Sequence, residues 1–313
     1  MRVLFHFEPG DEIRAWLAGQ AGPRGLQVDG CAEDDEARLR ELLPHAEVWW
    51  HVLKPVTPEL LAAAPRLRLV QKLGVGVNTI ALDAARARGV AVCNAPGTNA
   101  RAVAELALML MLAALRRATQ LHARLQSGQW AVPGAVQEQL GELGGRTVGL
   151  VGFGAVPTLL APWLEAMGAR VVYHARSARP VPWACLPLTE LLACSDIVSL
   201  HLPLTPETEG LIGAGAFARM KPGAVLVNTA RGGLVDEPAL LQALCSGRLR
   251  AAGLDVYATE PLPAAHPLLA LEQVVALPHV AWMTPQTLQR CLAVALDNAC
   301  ALRDGRALAH RVV

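Results

Sequence analysis

The clearest structural pattern in the sequence spans residues Thr147–Ser177, which read TVGLVGFGAVPTLLAPWLEAMGARVVYHARS. An apolar run ends in the turn Gly152–Gly154, a helical pattern covers Thr158–Met167 and stops at Gly168, and Arg170–His174 is a second strand pattern. Strand, tight glycine turn, helix and strand in this order predict a parallel βαβ unit. In such a unit the N-terminus of the helix can bind the pyrophosphate of a dinucleotide.

The turn supplies the first candidate cofactor contacts. Its first glycine permits the sharp bend, and its second lets the backbone approach a phosphate. Pro157 stands where the usual pattern has a third glycine; proline fits the first turn of a helix but removes one N–H donor. An ordinary parallel α/β turn is the alternative. The residues expected to contact the dinucleotide here are Gly152, Phe153, Gly154, Ala155 and Val156.

The end of the second strand indicates which dinucleotide is used. An acidic residue there would bind the adenosine ribose and repel a 2′-phosphate. This chain has Ala175, Arg176 and Ser177, which remove the repulsion and offer a guanidinium and a hydroxyl. The pattern predicts NADP(H), with NAD(H) and a merely solvated Arg176 as alternatives.

Residues 1–94 alternate strand and helix patterns and predict a small parallel α/β unit of their own. A long helix is predicted over Ala100–Ser127, and the irregular stretch Gly128–Gly145 is either an arm on a partner subunit or a surface loop.

Three polar side chains follow later strand patterns. Arg231 comes after Ala224–Asn228, Glu260 after Ala251–Val256, and His279 after a strand ending at Leu277. Ligands bind beyond the carboxyl ends of parallel strands, so these side chains are expected at one edge. There Arg231 can bind a carboxylate and polarise a carbonyl, His279 can transfer a proton, and Glu260 can orient the imidazole. Further predicted cofactor contacts beyond two strands are Leu202, Pro203, Thr229 and Ala230.

Each member of this trio has a structural alternative: Arg231 as a helix-capping or domain-bridging ion pair, Glu260 as a turn residue before Pro261, and His279 as a structural histidine with its hydrogen bonds satisfied. No His, Cys, Asp or Glu cluster has metal-ligand spacing, so no metal is expected.

The composition of the chain limits the kinds of protein it can be. The chain has 313 residues, 53% of them hydrophobic, and a formal net charge of +1. It is long enough for two domains, and it lacks the basic stripe of a nucleic-acid or membrane-surface protein. An N-terminus that turns acidic after a few residues and seven cysteines without a CxxC pair lead us to expect a cytoplasmic protein.

Several motifs in order resemble the D-isomer-specific 2-hydroxyacid dehydrogenase family, nearest its glyoxylate/hydroxypyruvate reductase branch. The similar segments cover most of the chain and are Lys72–Arg117, the VGFG turn, Ser195–Ile212, Met220–Leu240, EPLP and PHVAW. The resemblance implies an α/β chain with two doubly wound parallel-sheet domains. A Rossmann-type nucleotide domain, 95–283, would be inserted in a flavodoxin-like substrate domain, 1–94 plus 284–313. Members are usually homodimers.

The resemblance also implies roles. Arg231, Glu260 and His279 match the catalytic positions, and Asp255 matches a residue that binds the nicotinamide carboxamide. Backbone N–H groups of Val75, Gly76 and Val77 match the loop that receives the substrate carboxylate. The chain departs from the family pattern at Pro157, at Ala175 in place of the ribose-binding Asp, and at Asn78 and Ala81 in place of acidic residues.

The expected activity is reduction of a small 2-keto acid, of glyoxylate or hydroxypyruvate type, to the D-2-hydroxy acid with hydride from NADPH. A phosphoglycerate or other D-2-hydroxyacid dehydrogenase using NAD is one alternative, and an NAD(P)-sensing co-repressor-like protein is another. Trp282 either narrows the substrate pocket or packs as a core aromatic. Lys54 and Lys72 could instead bind a phosphate or a second carboxylate.

Overall fold

The computed structural model describes residues 1–313, which divide into two compact units. Met1–Asn99 and Trp282–Val313 form the first unit, and Ala100–Ala281 forms the second unit, contiguous in sequence. Both are parallel α/β units, so the predicted fold class is confirmed. None of the helices combines the length and the hydrophobicity that a membrane-spanning segment needs.

The first unit is built on a five-stranded parallel sheet with strand order β2-β1-β3-β4-β5. Its strands are β1 (Arg2–His6), β2 (Gln27–Cys31), β3 (Val48–His51), β4 (Leu69–Lys72) and β5 (Ala91–Cys93). Its helices are α1 (Asp11–Ala21), α2 (Glu36–Leu42), α3 (Pro58–Ala62), α4 (Leu82–Ala87) and Pro285–Arg303, with short 3₁₀ turns at Gly22–Arg24 and Leu43–His45.

Both faces of this sheet are buried, as a parallel sheet covered by helices requires. Trp50 packs on one face with Phe5, and Trp49 packs on the other face with Leu4. Helix α3 begins at Pro58, where the Thr57 hydroxyl caps it by accepting the Leu60 N–H at 3.3 Å.

The second unit is built on a seven-stranded parallel sheet with order β12-β11-β10-β9-β6-β7-β8. Its strands are β6 (Thr147–Val151), β7 (Arg170–His174), β8 (Ala184–Cys185), β9 (Ile197–Leu200), β10 (Ala224–Asn228), β11 (Leu249–Leu254) and β12 (Val274–Ala276). Its helices are α5 (Ala100–Leu115), α6 (Ala118–Gln126), α7 (Gly134–Gln137), α8 (Ala155–Ala166), α9 (Leu188–Cys194), α10 (Ala214–Arg219) and α11 (Glu237–Cys245), with 3₁₀ turns at Gly232–Leu234 and Pro267–Ala270.

The single helix predicted over Ala100–Ser127 is wrong. Helix α5 ends at Leu115 and α6 begins at Ala118, with Arg117 between them at a φ of 52°. The Arg117 side chain is buried and its guanidinium donates to the Gln139 side chain and the Arg250 carbonyl. Both partners are distant from Arg117 in sequence, and the two bonds hold its side chain in the interior at the point where the helix is interrupted.

The irregular stretch Gly128–Gly145 contains one short helix, α7. Trp130 is 86% exposed and Val132 is 46% exposed. The partner-arm and surface-loop interpretations of this stretch both remain predictions.

Candidate active site

The three predicted catalytic side chains lie beyond adjacent strands of the second unit. Strands β10, β11 and β12 are parallel neighbours, and Arg231, Glu260 and His279 follow them in that order. Their carboxyl ends therefore share one sheet edge, as expected from the sequence.

Glu260 and His279 form the closest contact of the site. The Glu260 carboxylate oxygen Oε2 lies 2.6 Å from His279 Nδ1, and Oε1 accepts the Tyr257 N–H at 2.9 Å. Burial acts to raise the pKa of Glu260, but bonds from His279 and Tyr257 outweigh it and lower the pKa. A carboxylate on Nδ1 leaves Nε2 as the nitrogen able to exchange a proton with a ligand.

The backbone at His279 is in the left-handed region, with a φ of 56°. Asp255 fixes the segment that follows: Oδ1 accepts the Val280 N–H at 2.8 Å and Oδ2 accepts the Ala281 N–H at 2.9 Å. Asp255 is fully buried, and burial raises its pKa against these two bonds. The structure thus gives Asp255 a role in orienting the His279 segment, and its predicted nicotinamide contact stays a prediction.

The Asn228 side chain fixes the backbone around Arg231. Asn228 accepts the Ala230 N–H at 3.0 Å and donates to the Arg231 carbonyl at 2.9 Å, while Arg231 Nη1 donates to the Ala230 carbonyl at 2.6 Å. Burial lowers the pKa of Arg231, and the Glu260 charge opposes that shift. A guanidinium remains charged at any physiological pH, so this is a cation within the field of the Glu260 carboxylate.

Two positions that were not predicted from the sequence hold the Arg231 and Glu260 segments together. A Cβ at Gly232 would overlap the backbone of Tyr257 and Ala258, so only glycine permits this approach. The Glu237 carboxylate accepts the Ala258 N–H at 2.7 Å and lies 3.4 Å from His266 Nε2. The GG pair after Arg231 was the available signal for the close approach; nothing local marked Glu237.

The glycine turn has the features that a dinucleotide needs. Gly152 has a φ of 98°, and a Cβ there would lie 2.6 Å from the His201 carbonyl oxygen. Gly154 is exposed with open space around it, and as N-cap of α8 it provides no side-chain acceptor. The N–H groups that begin α8 are thus available to a phosphate. Pro157 is buried within the first turn of the helix.

The other predicted cofactor residues surround this edge of the sheet. Ala175 is half-buried and Arg176 and Ser177 are exposed just after β7. Thr229, directly after β10, is buried with an unpartnered hydroxyl. An orphaned buried hydroxyl usually marks an absent water or ligand, so these residues fit a bound dinucleotide. Phe153 is buried. The remaining residues are partly or fully exposed and are Ala155, Val156, Leu202, Pro203 and Ala230.

The loop predicted to bind the substrate carboxylate belongs to the first unit. It follows β4, its residue Val75 is 44% exposed, and Gly76 and Val77 are partly exposed. Asn94 Nδ2 donates to the Val75 carbonyl at 2.8 Å.

Trp282 and the two lysines named from the sequence are engaged within the first unit. Trp282 is 8% exposed and lies in the core, 6.0 Å from Phe7 between ring centroids, which favours the core-aromatic interpretation. Lys72 is buried and its ammonium donates to the Val52 carbonyl, while Lys54 lies 3.7 Å from Glu36. No group of three or more His, Cys, Asp or Glu side chains could hold a metal ion.

Comparison with known proteins identifies the class. Residues 108–281, more than half of the chain, match the model of the D-isomer specific 2-hydroxyacid dehydrogenase NAD binding domain. A glyoxylate reductase of Thermococcus litoralis is 35% identical over 303 residues, covering 94% of this chain and 88% of that protein. A crystal structure of the TT0316 protein from Thermus thermophilus superposes with a TM-score of 0.90 at 39% identity, covering 100% of both chains.

The chain belongs to the D-isomer-specific 2-hydroxyacid dehydrogenase family, a family of NAD(P)-dependent oxidoreductases. It is also 46% identical over 269 residues to a D-3-phosphoglycerate dehydrogenase of Mycobacterium tuberculosis, covering 84% of this chain. It spans about half the length of that relative, 50%.

Proposed function

We propose that the protein reduces a small 2-keto acid, of glyoxylate or hydroxypyruvate type, to the D-2-hydroxy acid with NADPH. The main support is the 2.6 Å contact between the Glu260 carboxylate and His279 Nδ1. Arg231 follows β10, the strand next to the one that precedes Glu260. Because the carboxylate occupies Nδ1, Nε2 is the ring nitrogen that can pass a proton to the oxygen of a bound keto acid.

The chain's own residues account for the polar part of the reaction. The nicotinamide, when bound, supplies the hydride that reaches the keto carbon. Negative charge then develops on the carbonyl oxygen, where the Arg231 guanidinium stabilises it. His279 donates the proton to this oxygen from Nε2, while Glu260 holds the ring through Nδ1 and Asp255 fixes the following backbone. The reverse steps oxidise the hydroxy acid.

The preference for NADPH is proposed from the residues after β7. Ala175 leaves no carboxylate to repel a 2′-phosphate, and the exposed Arg176 offers a planar pair of donors. The charge of Arg176 also reaches Glu207, whose pKa is lowered mainly by the Thr205 hydroxyl and to a smaller extent by Arg176.

We propose further that the N–H groups of Val75, Gly76 and Val77 bind the substrate carboxylate. The exposure of this loop leaves its backbone open to a ligand. A homodimer is proposed as well; the exposed Trp130 and Val132 are apolar side chains that a partner subunit would cover.

A 3-phosphoglycerate-type activity with NAD is the second candidate, favoured by the 46% identity to the mycobacterial relative. It would require a phosphate site. Lys72 does not offer its ammonium freely, since that group bonds to the Val52 carbonyl in the first unit.

The test is a steady-state panel. NADPH and NADH oxidation are each measured with glyoxylate, hydroxypyruvate and 3-phosphohydroxypyruvate. The proposal predicts the highest kcat/KM for NADPH with one of the two small keto acids. A clear preference for NADH with the phosphorylated substrate would instead establish the second candidate.

A further inference from the structure

The last residues of four neighbouring strands of the first unit form a buried row of ionisable side chains. Register pairs Cys31 with His6, His6 with His51, and His51 with Lys72. The exposed fractions are 3%, 0%, 0% and 6% in the order Cys31, His6, His51 and Lys72. Each terminates its strand, so the row lies along the carboxyl edge of the sheet, where parallel sheets bind ligands.

All four side chains point to the face that carries Leu4 and Trp49, because side chains alternate along each strand. The side chains buried at this edge of the sheet are unusually polar. Both ring nitrogens of His6 and Nδ1 of His51 have no hydrogen-bond partner. Such groups are costly in a core and are retained mostly where a site needs them.

Among the imidazole nitrogens of the row, Nε2 of His51 has a hydrogen-bond partner, and that partner follows the loop that carries Val75–Val77. His51 Nε2 lies 2.9 Å from the Thr79 hydroxyl. The Thr79 carbonyl accepts the Val56 N–H at 2.8 Å, and the Ile80 N–H donates back to Val77 at 3.0 Å. This end of the loop is therefore fixed to β3 by the Thr79 side chain and to Val56, beyond β3, by backbone bonds of Thr79 and Ala81.

The other end of the loop is fixed by the two residues that follow β5, Asn94 and Ala95. The Ala95 N–H donates to the Gly74 carbonyl at 2.8 Å, and Asn94 binds the Val75 carbonyl. The three N–H donors of Val75–Val77 thus lie between two anchors, and only the anchor at Thr79 is made by a titratable side chain.

We propose that His51, through its bond to Thr79, is a positioning residue that orders the Val75–Val77 loop for a substrate carboxylate. This inference rests on the proposed function for the identity of the ligand. His51 acts as the neutral ring: Lys72 and His6 flank it in the row, and Lys54 and Glu33 lie beside His6. Burial, Lys72 and His6 together hold the pKa of His51 well below its ordinary value.

The test compares two substitutions at Thr79. Thr79→Val keeps the shape and removes the hydroxyl, whereas Thr79→Ser keeps the hydroxyl. Losing one hydrogen bond is worth about 0.5–1.5 kcal/mol, so Thr79→Val should raise KM for the keto acid about 2- to 10-fold. The kcat value and the Kd for NADPH should change by less than about twofold on the same scale. Thr79→Ser should return KM toward the wild-type value.

Two further variants separate positioning from general loss of stability. His51→Gln, whose amide can reach Thr79, should perturb KM less than His51→Leu. Thr57→Val removes a hydroxyl of the same unit that caps α3; it should lower the unfolding midpoint without changing KM.

Hydrogen–deuterium exchange of the peptide spanning 73–80 gives a readout that does not depend on turnover. Exchange should be faster in Thr79→Val than in the wild-type protein and restored in Thr79→Ser. Unchanged exchange, or a KM that Thr79→Val leaves alone, overturns the inference. Absence of keto-acid reduction by the wild-type protein would refute the proposed function instead, and exchange would still decide whether Thr79 orders the loop.

Discussion

At the residue scale, the site depends on short contacts between groups far apart in sequence. Glu260 and His279 are nineteen positions apart and meet at 2.6 Å. Both could be identified from the sequence, because each stands in a short motif beyond a strand. Asn228 could not, since its two bonds to the backbone around Arg231 depend on the folded loop. A neutral amide at the end of an apolar strand gives no local signal of such a role.

Cofactor choice is a prediction at this scale. Ala175→Asp places a carboxylate where it can accept ribose hydroxyls and repel a 2′-phosphate. The ratio of kcat/KM for NADPH over NADH should fall by about tenfold or more, which corresponds to about 1.4 kcal/mol. Steady-state kinetics with both nucleotides measures it. Ala178→Asp, at an exposed position three residues on, is the matched control. An unchanged ratio in Ala175→Asp would remove the basis for the NADPH proposal.

At the level of strands and helices, strand order explains why Arg231, Glu260 and His279 lie at one edge of the sheet. Other features of the fold have no signal in the local sequence. The strand patterns before Arg231 and His279 are strongly apolar, so they predict buried parallel strands. Strand β2 is different: it is an edge strand, Gln27 and Gly30 are exposed, and its sequence QVDGC has no clear alternation. Helix α5 runs into α6 without a glycine or proline, so the break at Arg117 could not be predicted from local propensity.

A substitution at Gly232 tests whether the Arg231 loop must pack closely against Tyr257 and Ala258. Gly232→Ala puts a methyl group into the backbone of Tyr257 and Ala258 and should push the Arg231 and Glu260 segments apart. A displacement of about 1 Å can cost about 100-fold in rate, so kcat should fall by about that factor. Gly215→Ala, in α10 with open space around it, is the control. If Gly232→Ala folds and keeps the wild-type kcat, the close approach is not needed for catalysis.

At the scale of the whole molecule, the buried histidines of the first unit make stability depend on pH. Burial lowers the pKa of His6, with Glu33 opposing and Lys54 reinforcing the shift, and burial, Lys72 and His6 lower the pKa of His51. Below the ordinary value of 6.5, the unfolded chain takes up protons that the folded chain does not. Folding stability therefore falls as pH decreases below that value.

The free energy of unfolding should change by up to about 1.4 kcal/mol per pH unit for each such histidine. Urea unfolding at a series of pH values from neutral downward measures it. His51→Gln should flatten the slope relative to the wild-type protein, whereas His45→Gln, at an exposed position of the same unit, is the control. Equal slopes in wild type and His51→Gln would contradict the assignment of a neutral buried ring.

The proposed keto-acid reduction depends on one step, the delivery of a proton by His279, whose ring contacts Glu260. The most direct measurement is NADPH oxidation with glyoxylate and hydroxypyruvate by the wild-type protein and His279→Gln, together with the Kd of each for NADPH. General acid catalysis contributes about 10²- to 10⁴-fold, so kcat should fall by that factor while the Kd stays the same. Wild-type protein that reduces neither keto acid with either nucleotide, or a variant with the wild-type rate, would contradict this role of His279.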